Sequence, residues 1–280
     1  MPTPILAMIP SGFKTSKFAS VLPSDGTGDF TVVRNSLKTR VNSSGLIETL
    51  GVNVIAPDYR DGGCPVLLTE PQSTNNLIFS KTFSNWTENG TTTTTNTTNL
   101  SPANEPLTVL LSGATDIAWG SNSNAFTKGL DVNSNSSYTF TVFVKSLGSS
   151  SVNLRIRNNN SGSNSDSTTS LNLNEWKRVS ISINTTATQS LAGLVIGGID
   201  GDILIWGTQF EPQPNATSYI PTNGSTVTRF ADVVTIDTAS ITGTISSITE
   251  TIDGVDQTPI TTIPSTYTMP VGNINKIIME

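Results

Sequence analysis

SYTFTVFVK (137–145) is the stretch that decides how the rest of the chain is read. Tyr138, Phe140, Val142 and Val144 fall on one face, and Thr139, Thr141 and Lys145 on the other. This is the period-two alternation of a strand buried on one side, and it uses the aromatic and β-branched residues that fit a pleated surface. Phe143 breaks the alternation, so the outer face of this strand is expected to be covered too.

The neighbouring segments repeat the pattern. LTVLLSG (107–113) reads as a buried strand and DIAWGS (116–121) as a short one. In VNLRIRNNN (152–160), Val152, Leu154 and Ile156 point inward while Arg155 and Arg157 point outward. EWKRVSISIN (175–184), SLAGLVIGG (190–198) and GDILIWGTQFE (201–211) follow, the last with Ile203, Ile205 and Gly207 facing inward. The Thr-rich tract ENGTTTTTNTTNLSPANEP (88–106) is β-branched enough for an edge strand or exposed hairpin, whereas NNNSGSNSDSTTS (158–170) reads as a mobile loop. No ten-residue window carries an i, i+3, i+4 apolar stripe, so a helix is expected nowhere. Strands at this spacing predict an all-β protein, an antiparallel jelly roll or β-sandwich.

The flanks are β-rich as well. Residues 1–18, with Pro2, Pro4 and Pro10, read as an extended arm with few partners of its own. Its Phe13 and Phe18 are the expected anchors, added to a neighbouring sheet or laid across a subunit boundary. NSSG (42–45) reads as a hairpin turn, and 217–234 as a strap leaving the sandwich. The tail beyond 235 predicts two to four strands. The expected division is therefore an N-terminal anchoring region at 1–74, a jelly roll at 75–232 and a short C-terminal segment at 233–280.

Composition narrows the chemistry. Only 13% of the 280 residues are charged, against roughly 25% in average globular chains. The net charge is −6 and no clustered basic stripe is present, which argues against nucleic acid. Lys177 and Arg178, with Arg155 and Arg157, form the densest basic group and read as a solvated face. With no histidine, Ser-His-Asp and Cys-His catalysis are excluded as ordinarily built. The single cysteine, Cys64, allows no intrachain disulfide and reads as a small buried hydrophobe in a turn. Asp58 and Asp61 sit among turn residues without EF-hand spacing. Asp200 and Asp202, the closest carboxylate pair, flank Gly201 in a hairpin turn. No positive segment precedes PILAMIP (4–10), and 191–207 is interrupted by both aspartates, so neither a secretory signal nor a membrane span is expected.

A succession of short motifs adds a family. NLIFSKTFSNWT (76–87), YTFTVFVK (138–145), WKRVSI (176–181), IWGTQFE (205–211), SYIPT (218–222) and VTRFAD (227–232) occur in an order that resembles the carbohydrate-binding-module-like jelly roll of tailed-bacteriophage structural proteins. GDFTVVRNSLKTRVNSSGLIE (28–48) and PDYRDGGCPVLLTEPQSTNNL (57–77) are similar to the segment preceding that module in virion proteins of phages infecting Bacteroidetes.

The resemblance implies a non-enzymatic virion component of head-fibre, tail-fibre or decoration type. It would be homo-oligomeric, with a trimer favoured, attached to other capsid or tail proteins and displaying a module that holds surface glycans. A bacterial lectin-like surface protein is the alternative, and a polysaccharide-degrading enzyme the remote one. Related glycan-binding jelly rolls often carry a structural calcium held partly by an aspartate of the final strand. Here that strand has Trp206 and Gly207, so no metal ligand is assigned and no cofactor expected.

Sugar binding needs an exposed aromatic platform flanked by polar side chains. Trp86, Trp176 and Trp206 lie in the apolar motifs and are expected in the core. Trp119, in polar surroundings, is the candidate platform, with Asn122, Asn124 and Arg157 as its partners.

Overall fold

The computed structural model describes residues 4–14, 17–119, 123–158 and 164–280. The chain divides into two compact units: Ser73–Thr228, and a second in which the segment up to Gln72 joins Arg229–Glu280. The two flanks, expected as separate regions, therefore share one unit.

The Ser73–Thr228 unit is an antiparallel jelly-roll sandwich of two five-stranded sheets. One sheet runs Thr92–Asn96, Thr108–Ser112, Ile203–Glu211, Ser137–Ser146, Trp176–Asn184; the other runs Asn164–Ser170, Ser151–Asn158, Leu191–Gly197, Ala125–Asp131, Thr87–Asn89. Tyr138, Phe140, Val142 and Val144 face the core, where they meet Val152, Leu154 and Ile156 from the facing sheet. Trp86 stacks on Phe126 with ring centroids 5.0 Å apart, and Tyr138 stacks on Phe210 at the same distance. Burying each such aromatic contributes roughly 1.5–3 kcal/mol.

The strand Ile203–Glu211 is buried on both faces, and a bulge explains how. Its pairing with 137–146 slips between Thr141 and Phe143, and Gly207 lies opposite the slip with φ +63°. The extra residue inverts the alternation: Ile203 and Ile205 face the core before it and Phe210 after it. Gly207 is thus the hinge of the bulge and not an inward-facing position. A Cβ there would sit 3.0 Å from the Phe143 ring.

Phe143 is covered on the outer face, as its broken alternation predicts. Its ring meets Trp206 at 5.5 Å and Tyr219 at 6.2 Å. Tyr219 belongs to the strap, which is laced down by buried polar side chains. Asn75 donates to the carbonyls of Thr208 and Ile220 and accepts from Phe210 N, while Gln209 Oε1 accepts from Ile220 N at 2.6 Å. Glu211 accepts from Ser73 Oγ, Gln209 Nε2, Thr217 N and Thr217 Oγ1, all within 2.9 Å. Arg178 closes the clasp by donating to Thr217 O at 2.6 Å, with its guanidinium over Phe143. Arg178 and Arg155 stand on strands of different sheets, so the basic residues do not form the single solvated face expected.

Three local readings need correction. Residues 113–119 form no strand; they cross the outside of the second sheet, where Gly198 N donates to Asp116 O and Ile199 N to Ala114 O. Asn164–Ser170, expected within a loop, is an edge strand paired along Ser151–Asn158, with Arg155 opposite Asp166; residues 159–163 lie outside the described ones. Trp176 is only half-buried. It shares the outward parity of Arg178 at the sheet margin, and its indole N–H donates to Leu100 O at 2.9 Å. Trp86 and Trp206 are buried, the latter beneath the strap. The Thr-rich tract supplies the expected edge strand at Thr92–Asn96.

In the other unit, the strand Leu6–Lys14 pairs with Gly272–Met279 on one side and Lys17–Leu22 on the other. Leu6 and Met8 are fully buried. Backbone pairing sets Phe13 opposite Phe18 and Phe18 opposite Phe30. The N-terminal segment is therefore not an arm with few internal partners, because its hydrogen bonds are met within the chain. At the far end, Asp253 and Gly254 both take positive φ in the two-residue turn between Ile252 and Val255, the geometry that suits a hairpin.

Cys64 is exposed, held out by a turn in which Gly62 and Gly63 take positive φ, and is no core hydrophobe.

The same unit buries a cluster of charged side chains. Asp232 pairs with Arg34 at 2.8 Å and Lys38 at 2.6 Å; Glu70 pairs with Lys38 at 3.0 Å and Arg229 at 3.6 Å. Backbone carbonyls of Gly51, Val54 and Leu68 take remaining donors of Arg34 and Lys38. Among the described residues, no helix is long and apolar enough to cross a membrane.

Candidate functional site

The outer face of the sheet holding Ser151–Asn158 carries a flat row of four residues, one from each of four strands. Gly129 pairs with Gly193, Gly193 with Arg157, and Arg157 with Asn164. The two glycines leave a trough with no side chain standing above the backbone. The segment 113–119, anchored through Asp116, lowers Trp119 into it. A Cβ on Gly193 would lie 2.7 Å from the Trp119 ring and one on Gly129 3.8 Å from it, so at Gly193 only glycine leaves the ring its place. Trp119 is half-buried, with the rest of its surface open.

Arg157 stands beside the indole, its guanidinium carbon 6.0 Å from the ring centroid, within cation–π reach. The next row supplies Arg155 and Asp166. Their side chains form a two-pronged pair, Nε to Oδ1 at 2.5 Å and Nη2 to Oδ2 at 2.8 Å, and Arg155 Nη1 donates to Ile117 O at 3.1 Å. Hydrogen bonding from the guanidinium to Asp166 raises the Arg155 pKa and lowers that of the carboxylate, so both stay charged. Trp119, Arg155, Arg157, Asn164 and Ala118 enclose an open depression of about 260 Å³.

Trp119 and Arg157 therefore come together as the sequence suggests. Asn124 is exposed, with its amide oxygen against Gly90, outside this depression. Asn122 lies outside the described residues. Asn164, Arg155 and the glycine pair are additional members. Their sequence signal is a lone glycine inside each of two strand patterns, AFTKGLD (125–131) and LAGLVIG (191–197).

A larger depression, about 520 Å³, lies among Lys81, Thr82, Leu107 and residues 221–227. Its lining has no aromatic ring, and Lys81 is already paired with Glu105 at 2.7 Å.

Other groups singled out earlier serve structure. Asp200 accepts from Ser149 Oγ, Ser150 N and Ser150 Oγ within 2.8 Å; the Ser150 hydroxyl and amide, then Ser149, pull its pKa down to about 2. It ties one turn to another and stays ionised. Asp58 accepts from Val41 N and from the Arg60 amide and guanidinium in the same manner. Glu211, the carboxylate of the final strand, does not fit a calcium site: neutral O–H and N–H donors converge on both oxygens, where a cation would meet their hydrogens.

No protein-family model and no curated protein matches the chain. Among solved structures, the CBM22-1 xylan-binding domain from Paenibacillus barcinonensis Xyn10C is similar over 51% of this chain and 94% of its own, at 13% identity and TM-score 0.38. The enzymatically active domain of bacteriophage CBA120 tailspike protein 4 is similar over 49% of this chain and 21% of its own, at 14% identity and TM-score 0.36. A Bacteroides thetaiotaomicron protein described as a putative sugar binding protein is similar over 49% of this chain and all of its own, at 11% identity and TM-score 0.34. Likeness this remote bears on neither ligand nor activity.

Proposed function

We propose that the Ser73–Thr228 sandwich is a glycan-binding module and that the chain is a non-enzymatic structural component of a tailed-phage virion. The observation that carries the binding reading is Trp119 laid across the Gly129–Gly193 pair with Arg157 at its edge. The C–H face of a sugar ring stacks on such an indole, and its hydroxyls accept hydrogen bonds from the neighbouring guanidinium and from the Asn164 amide. The acid nearest to an enzymatic role, Asp200, is fully used in holding turns, which supports binding without turnover.

The virion role rests on the ordered motifs. Their residues Gln209, Glu211 and Tyr219, with Asn75 just before the first motif, together make the clasp over the sandwich, which gives the motif order a physical reason. In this reading the protein is a homo-oligomer, with a trimer favoured, attached to capsid or tail proteins.

A glycan array read with the wild-type chain and Trp119→Ala tests the binding. Wild type is expected to retain discrete glycans and the variant to lose them, with an unchanged thermal midpoint. Equal retention by both would remove Trp119 from the site. Electron cryomicroscopy of the particle tests the virion role by locating the copies on it, and light scattering gives their number.

A further inference from the structure

We infer that the glycan received at Trp119 is acidic, and that Arg157 binds a carboxylate of the sugar lying on the indole. This rests on the reading of that face as a glycan site.

The two arginines of the strand Ser151–Asn158 stand in different circumstances. Arg155 already has a carboxylate: Asp166 meets it with two parallel hydrogen bonds, and Ile117 O takes a third donor. Arg157 is half-buried on the same face, and among the described residues it has no carboxylate and no hydrogen-bond acceptor, only the Trp119 ring. A guanidinium partly withdrawn from water with its planar fork open is built to receive a planar two-oxygen anion. Asp166 does not compete, because its charge is spent on Arg155.

The spacing fits the same ligand. Arg157 is the direct cross-strand neighbour of Gly193, over which the indole lies. The step from trough to arginine is thus one strand separation, about 4.8 Å. A sugar ring centred on Trp119 therefore brings a carboxylate on its rim to the guanidinium. Asn164, one strand further along the row, is placed for the next hydroxyl. A neutral sugar would leave the charge of Arg157 unanswered.

The test is calorimetric titration of the full chain with three acidic oligosaccharides (galacturonate, glucuronate and sialate types), each paired with its methyl ester. Neutral xylo- and gluco-oligosaccharides form the control arm. Esterification keeps the ring and removes the charge. At least one acid is expected to bind roughly ten-fold or more tightly than its ester, the scale of one charge-assisted fork. Its affinity should also fall as salt is raised. Arg157→Gln should erase the acid–ester difference while leaving weak binding of both forms, and Arg157→Lys should restore part of it. Esters or neutral sugars bound as well as the acids, with Arg157→Gln silent, would overturn the acidic class and leave the glycan reading standing. No binding of any sugar by the folded chain would overturn both.

Discussion

The two units solve the same problem with opposite chemistry. Each must tie down segments far apart in sequence. In the Ser73–Thr228 sandwich the tie is neutral on one side: a lone buried carboxylate, Glu211, is met by hydroxyl, amide and backbone donors, and Asn75 and Gln209 satisfy the strap's backbone. In the unit made from both chain ends the tie is ionic on both sides. Arg34 and Lys38, from the first segment, hold Asp232, from the second, with nearly two hundred residues between them. Each solution has its own cost. Neutral donors leave little behind when one is lost, whereas buried ions depend on every partner being present. Buried ions in turn reject wrong pairings, since a misregistered charge finds no counter-charge. That suits a unit whose halves are synthesised far apart.

The contrast can be broken or sharpened by substitution. Asp232→Ala should show the largest effect. It leaves Arg34 in the interior without its counter-charge and Lys38 with Glu70 alone, and the loss is expected at ~3–5 kcal/mol, read as a shifted denaturant midpoint. Glu211→Ala leaves buried neutral donors unsatisfied and should cost less, ~1–3 kcal/mol. If the two losses came out equal in the same denaturation series, ionic and neutral ties would be equivalent here and the contrast would fail. The smallest effect belongs to Asp200, on the surface. Its pKa of about 2 lies below the ordinary value of 3.8. The stability it contributes is therefore present above the unfolded pKa and lost as pH falls from about 4 through about 2. Asp200→Asn should lower the midpoint slightly at pH 7, and its difference from wild type, measured at each pH, should shrink as pH falls from about 4 through about 2.

How much of this was legible beforehand depended on whether the signal was local. The alternation of 137–145 and of 152–158 is local, and both strands face the core as the pattern requires. Trp119 stood out by its polar surroundings and Arg157 by its outward parity, and the two do meet. Asn164–Ser170 does not read as a strand because its alternation is polar on both faces, with Asp166 answering Arg155 in place of an apolar contact. Gly207 carries no sign that it will invert the parity of its strand; only the partner's register reveals the bulge. Trp176 misleads because an apolar motif hides its outward parity. The buried ions were invisible for a different reason. Arg34, Lys38, Glu70 and Asp232 are scattered along the sequence, and only the closing of the two chain ends brings them together. The glycine trough falls between these cases: each glycine is visible, but their facing register is not.

The way the sandwich is inserted has one more consequence. The chain comes into it at Ser73 and leaves at Thr228, and there the side chains of Thr74 and Thr228 touch at 2.8 Å. A head whose incoming and outgoing threads run side by side is a cassette. Two crossovers, at the codons for its two ends, could exchange it whole, while the sheet woven from the chain's ends kept its stitching. On the function proposed above, a recognition surface would thereby be replaceable without redesigning the rest of the chain.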